Sequence, residues 1–339
     1  MTASKTTSLK AILARHEVVL LLVIAVEVLL FSTLGRRFLD GSNVSNIFRH
    51  SVEIGLLALV MTPVILTGGI DLSVGSMMGL CAVCFGIFVK EAQLSPLVAG
   101  FLSVGIGTIG GGLNAFLIAR LKLPPLIVTL GTFSLFRGLA EALTKGSKSY
   151  SAFPDSFLAL GNSQVAGLPA QVWIFLVVAL GIYVLVHHTT FGRSFRAIGF
   201  SPEGSRYAGL SVEKNVSLAY VLAGAVAGLA AVIFVARLGE ARANAGIGYE
   251  LLAITAVVLG GTSIFGGSGT VIGTLLGYVA VAVLNNGLKR VMDFQLLDRK
   301  ISDMASELSG VLTGLLLIAA LAVTPLLRIL ASRRSRSQN

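Results

Sequence analysis

Charge is what this sequence has least of. Only 12% of its 339 residues are Asp, Glu, Lys or Arg, against about 25% in soluble domains, which excludes an ordinary water-soluble fold. Cysteine is nearly absent. The two present, Cys81 and Cys84, exclude a disulfide scaffold. They stand three apart in "GLCAVCFG" without two further ligands nearby, so they read as packing residues on an apolar helix, not as a metal or redox pair. The four histidines, His16, His50, His187 and His188, lack the neighbours that metal or triad chemistry needs. No Gly-x-x-x-x-Gly-Lys-Ser/Thr phosphate loop occurs, so the chain carries no ATP site of its own. "GIGTIG" (Gly105–Gly110) matches a dinucleotide-binding pattern. It lies inside an apolar run with no preceding strand, and with Gly107 and Gly111 one turn apart it reads as a close-packing helix face. Nothing here marks an enzyme, and no cofactor is expected.

What is present is apolar chain: 55% hydrophobic residues and a mean hydropathy of +0.87. The net charge of +10 could suggest nucleic acid. The bases sit at the ends of apolar runs and in the tails, which fits membrane anchoring instead. The polar, basic start (Lys5, Lys10, Arg15) precedes an apolar run without a small-residue cleavage site, which reads as a retained first span. Runs of about 20 apolar residues mark spanning helices. Ten candidates occur, at 17–34, 51–67, 72–89, 97–119, 126–143, 171–188, 217–236, 251–265, 270–288 and 309–327. The expected fold is therefore all-α: one polytopic integral membrane domain with about ten transmembrane helices. It has a membrane-spanning region at 17–328 and a basic tail at 329–339. Lys and Arg divide evenly between the two sides. An even span count and two basic tails favour both ends inside, since the outer bases are interleaved with acids.

Two pairs of spans are separated only by glycine-rich breaks. "GGIDLSVGS" (Gly68–Ser76) and "GGTSIFGGS" (Gly260–Ser268) share Gly-Gly, two variable residues, Ile or Leu, two variable residues, then Gly-Ser. Paired interruptions in corresponding positions point to a transport pathway. On the span count both motifs face the same way, and the symmetry of the repeat is left open. A backbone freed at membrane depth must be satisfied internally. Asp71 can do this by accepting from the first amides of the following helix, with Ser73 and Ser76 nearby. It therefore reads as a structural cap or as an intramembrane ligand or proton site. Its place directly after Gly-Gly and before an apolar run favours the cap. Gly68, Gly69, Asp71, Ser73, Gly75, Ser76, Asn114, Gly260, Gly261, Thr262, Ser263 and Asn286 are the candidate pathway and hinge residues.

The polar loop "TTFGRSFRAIGFSPEGSRYAGLSVEKN" (Thr189–Asn215) has room for one short helix across the membrane face. Ser201-Pro202-Glu203 is a helix start and Gly209 a stop. Arg193 and Arg196 can anchor at headgroups. Either the loop is a solvated connector or it docks a soluble partner.

"GGIDLSVGS", "LKLPPLIVTLGTFSLFRGLA", the loop just quoted and "AVVLGGTSIFGGSGTVIGTLLG…LNNGL" together resemble the membrane subunit of bacterial carbohydrate-uptake ABC transporters. This is the ribose, xylose, arabinose and galactose permease family, which also holds rhamnose and furanosyl-autoinducer permeases. The motifs run in order from about residue 50 to 290. The resemblance implies a permease that pairs with a second permease subunit, as a homodimer or a heterodimer, in the lipid of a bacterial inner membrane. It also implies a cytoplasmic ATP-binding subunit, a periplasmic sugar-binding protein and no nucleic acid. The coupling element is expected within 189–216, on Ser201, Pro202, Glu203, Gly204, Ser205, Arg206 and Gly209. The chain departs from the pattern at Gly204-Ser205, where Ala-Ala is usual, and in the longer, charged segment at 289–308. An ion-coupled secondary transporter would also explain the glycine breaks and Asp71, but would leave the loop without a task. A non-transport scaffold explains neither.

Overall fold

The computed structural model describes residues 16–35, 37–292, 311 and 314. The expected tenth span (309–327), the charged segment beyond Met292 and both tails lie outside them, save for Val311 and Gly314. Thirteen α-helices order the described chain. They are α1 (His16–Leu34), α2 (Gly41–Arg49), α3 (Val52–Leu66), α4 (Val74–Lys90), α5 (Pro96–Ala115), α6 (Pro125–Leu143), α7 (Asp155–Asn162), α8 (Ala170–His188), α9 (Thr190–Phe200), α10 (Pro202–Tyr207), α11 (Val212–Leu238), α12 (Tyr249–Leu259) and α13 (Val271–Met292). A π-helical turn, Phe116–Arg120, continues α5.

The chain is a polytopic membrane protein. Six helices among the described residues (α1, α5 with its π turn, α6, α8, α11 and α13) are long and apolar enough to cross a bilayer, and α2 with α3, bent by 49°, makes a seventh if taken as one span. Two of the expected spans are shorter than their hydropathy suggests. The 17 residues of α4 and the 11 of α12 rise about 25 Å and 16 Å, against a hydrocarbon core of about 30 Å. The run expected at 251–265 stops being helical at Leu259 because Gly261 turns to a positive φ of 86°.

At the centre stands α3, buried along its whole length, and α4 is almost as fully enclosed. The face of α5 that carries Gly107 and Gly111 lies on the backbone of α11 at Tyr220 and Gly224, where a Cβ on either glycine would run into a carbonyl oxygen. Small residues let the two helices approach this closely, as the "GIGTIG" pattern suggested. A two-stranded hairpin, β1 (Gln164–Val165) and β2 (Leu168–Pro169), is the small exception to an otherwise helical design among the described residues. It turns through Ala166 and Gly167, both at positive φ.

The hairpin, α7 and the segments 144–153 and 239–248 cover one end of the bundle. There Tyr150 bridges Ala241, and Glu91 accepts from Lys148 at 2.5 Å and Tyr150 at 2.7 Å. Those hydrogen bonds, Lys148's first, hold the Glu91 carboxyl below the usual carboxylate range. The Thr189–Asn215 loop lies at the opposite end, called the loop face below.

Candidate functional site

The first glycine break follows α3. Gly68 takes a φ of 83°, and the Gly69 backbone lies against the Tyr220 hydroxyl of α11, where a Cβ would not fit. Asp71 Oδ1 then accepts from the Ser73 amide at 2.8 Å and the Ser73 hydroxyl at 2.6 Å. The Ser73 hydroxyl accepts in turn from Asn114 Nδ2 at 2.8 Å, and Ser76 Oγ donates to the Ser73 carbonyl at 2.9 Å. All four residues are buried. The amide that Asp71 takes belongs to the residue before α4, one short of the helix. The local structure is therefore a turn that places Ser73 immediately before α4, with the acid beneath it. Two polar atoms remain without partners among the described residues, the Tyr220 hydroxyl and Asn114 Oδ1.

The second break is built differently. Gly260 packs on Gly273 across the turn. The chain then stays non-helical for ten residues, closed by Ser263 N to the Ser268 carbonyl and Gly266 N to the Ser263 carbonyl, each at 2.9 Å. Gly266, Gly267 and Gly269 all take positive φ. Thr262 is buried against Gly269 with its hydroxyl unpartnered among the described residues, while Ser263 is half-buried. Helix α13 starts only after Thr270, whose hydroxyl accepts from Gly273 N at 2.9 Å. Where the first copy has the buried Ser73 immediately before a helix, the second has Phe265, 90% exposed.

The polar loop contains two helices where one was expected. The additional one, α9, begins at Thr189, whose side chain accepts from Phe191 N at 3.2 Å, and buries Gly192, Ser194, Phe195 and Ile198. The expected short helix is present as α10. Ser201 caps it by accepting from Gly204 N at 3.0 Å, Pro202 stands at the first position, and Gly209 follows at a φ of 80°. Ser205 is buried, whereas Pro202, Glu203 and Gly204 face outward. Glu203 is an exposed charge with no ion-pair partner among the described residues. Arg206 is committed to Glu213 at 3.0 Å. Arg193 is exposed, but Arg196 does not reach outward to headgroups: it donates to the Val186 carbonyl at 3.1 Å and reaches the Gly269 carbonyl.

These three parts meet at the loop face. Gly267 N donates to the Leu66 carbonyl at 3.0 Å. Gly199 of α9 packs against this hydrogen bond, with no room for a Cβ over either atom, and Gly266 lies against both Gly68 and Gly199. The end of α9 thus touches both breaks through backbone alone. A groove of about 400 Å³ beside the junction is walled by Gly68, Gly69, Lys122, Pro202, Arg206 and Tyr220 among others. Both motifs sit at one end of the bundle, as the span count had them.

Two sequence-derived candidates fall elsewhere. Gly75 faces inward from α4 against Gly246 and the Glu250 carboxylate. Asn286 lies about 22 Å along α13 from Val271. There it exchanges hydrogen bonds of 3.0 and 3.2 Å with Asn43 of α2, which also accepts from Arg290. Sequence reasoning missed two buried charge clusters in the half away from the loop face. Glu53 at the start of α3 pairs with Arg237 at 2.8 Å, both side chains almost wholly buried. Arg137 of α6 donates to the carbonyls of Ala243 and Ala245, close to Glu250, whose Oε2 is unpartnered among the described residues.

A family model described as the permease component of the branched-chain amino acid transport system matches residues 43–321. Among curated proteins, the autoinducer 2 import system permease protein LsrD of Enterobacter sp. (strain 638) is 36% identical over 307 residues, covering 89% of this chain and 90% of that protein. The proteins of the same name from Escherichia coli (strain K12) and Shigella flexneri are each 35% identical, with 89% of both chains covered. No solved structure matches the chain.

Proposed function

Because the chain belongs to this permease family and is the transmembrane component of an ABC-type import system, we propose that a separate ATPase drives it through α9 and α10. The chain hydrolyses nothing itself. With a second permease subunit it forms the path for a sugar-like solute handed over by a periplasmic binding protein. The solute class follows the relatives, which are named for autoinducer 2 import. The loop face is cytoplasmic, both chain ends lie on that side, and α4, α12 and the last span complete ten crossings of a bacterial inner membrane.

One observation carries this reading: Gly199 at the end of α9 packs directly against the hydrogen bond that joins the Leu66 carbonyl to the Gly267 amide. A rigid partner that displaces α9 and α10 therefore displaces the ends of α3 and of the second break together. Ser201, Pro202, Glu203, Gly204, Ser205, Arg206 and Gly209 make the docking element. Gly68, Gly69, Asp71, Ser73, Gly75, Ser76, Asn114, Gly260, Gly261, Thr262 and Ser263 let the helices hinge and line the path as it opens. Asn286, lying near the far end of α13, contributes at the entrance. A purely ion-coupled carrier has no use for a capped, outward-facing α10. Replacing Glu203 and Arg206 by Ala is expected to lower co-purification of the ATP-binding subunit from the native system by about tenfold, with the membrane fold intact. Wild-type docking and uptake in that double variant would refute the role of α10.

A further inference from the structure

The three most exposed large apolar or aromatic side chains among the described residues are Tyr207 at 93%, Phe265 at 90% and Phe200 at 89%. All three stand at the loop face. The most exposed apolar side chain on the spanning helices, where lipid covers the surface, is Ile109 at 75%. Phe200 and Tyr207 end α9 and α10. Phe265 comes from the second glycine break, more than fifty residues later in the chain, yet joins the same surface because Gly267 lies against the Phe200 backbone.

The conformation around Phe265 is specified, not slack. Ser263 and Ser268 close the turn by one hydrogen bond, Gly266 and Gly267 hold it at positive φ, and the Gly267 amide fastens it to Leu66. The first break, with the same glycine pattern, starts its helix at once and presents a buried serine in the corresponding place. The second break delays its helix to Val271 and holds out an aromatic ring. Exposed apolar side chains gathered on one face mark a binding surface in a way that single ones do not, and aromatic anchors commonly carry most of the energy of such surfaces.

We infer that Phe265, with Phe200 beside it and Tyr207 on the same face, is part of the docking surface for the ATP-hydrolysing subunit, so that this partner grips the second helix break directly as well as α10. The inference rests on the reading of α9 and α10 given above. Its occupant is that subunit because the surface is continuous with α10. The exposed Glu203 of α10 and Arg193 of α9 bring charge to the same face, as in an interface with an apolar centre and a charged rim. A grip on Phe265 shifts Gly266 and Gly267, and these touch Gly68, Gly199 and Leu66. Nucleotide-driven movement of the partner then reaches both breaks without passing through α11.

The test uses the full chain, purified in lipid nanodiscs and titrated with the ATP-binding subunit of its own import system. Phe265→Ala is expected to weaken binding about tenfold, Phe265→Trp to retain it, and Glu203→Ala to weaken it independently. A photo-reactive phenylalanine analogue at position 265 is expected to cross-link to a peptide of the ATP-binding subunit. Unchanged binding in Phe265→Ala, with loss in Glu203→Ala, would overturn the inference and leave the role of α10 standing. Unchanged binding in both would overturn both. Cross-links to lipid alone would show Phe265 to be a membrane-interface anchor and would also defeat the inference, whatever the folding yield of the alanine variant.

Discussion

Asp71 sits where an acceptor is needed and where a charge has no partner of opposite sign among its hydrogen-bonding neighbours. Its Oδ1 serves the amide and the hydroxyl of Ser73, and Asn114 completes the chain of bonds. Asp71→Asn keeps that acceptor, so folding and most uptake should survive. Asp71→Leu strands two buried donors, at about 1–3 kcal/mol each, and should depress both melting temperature and uptake. A well-folded but transport-dead Asn variant would restore the ion-site reading of this residue. Glu53 and Arg237 are a different case, because here both charges are buried and matched. Truncating one leaves the other uncompensated, so Glu53→Ala should lose about 3–5 kcal/mol, while the paired replacement of both by Leu should lose much less. Denaturant unfolding in detergent measures the cycle. Additive losses would mean that the two side chains are not coupled.

At the scale of elements, the α5–α11 seam depends on having no side chain at two positions. Gly111→Ala should cost about 1–3 kcal/mol through overpacking. Gly105→Ala, on the same helix with open space around its Cβ, should be neutral or stabilising by up to about 1 kcal/mol. Equal effects at the two sites would contradict the seam. On the loop face, Ser201→Ala removes the cap of α10, worth about 1 kcal/mol. A helix of six residues has little else to hold it, so solute moved per ATP hydrolysed should fall while the melting temperature hardly moves. Such elements were unevenly legible in the sequence. Long apolar runs announced the spans, and Ser-Pro-Glu with a trailing Gly announced α10. Helix α9 was hidden because it is short and carries two arginines, and two of its four buried positions, Gly192 and Ser194, are not registered by hydropathy. The length of α12 was overread because apolar residues continue through Ile264 and Phe265 after the helix has ended. The Glu53–Arg237 pair was illegible: each charge lies at a span end, where exposure is the ordinary expectation, and 184 residues separate them.

For the whole molecule, the two breaks converge on α9 at the loop face, where the proposed function has work enter, and the charged clusters near Glu53 and Glu91 belong to the far face. A cysteine at position 203 should therefore react with membrane-impermeant reagent only from the cytoplasmic side, and one at position 148 only from the periplasmic side. Reversed accessibility would invert the topology and remove α10 from reach of any cytoplasmic partner. The most direct measurement is solute uptake into vesicles holding the permease with its ATP-binding subunit and binding protein, energised either by ATP or by an ion gradient. Uptake with ATP alone, abolished when the ATP-binding subunit is left out, is the expected result; uptake by the permease on an ion gradient without ATP would contradict it.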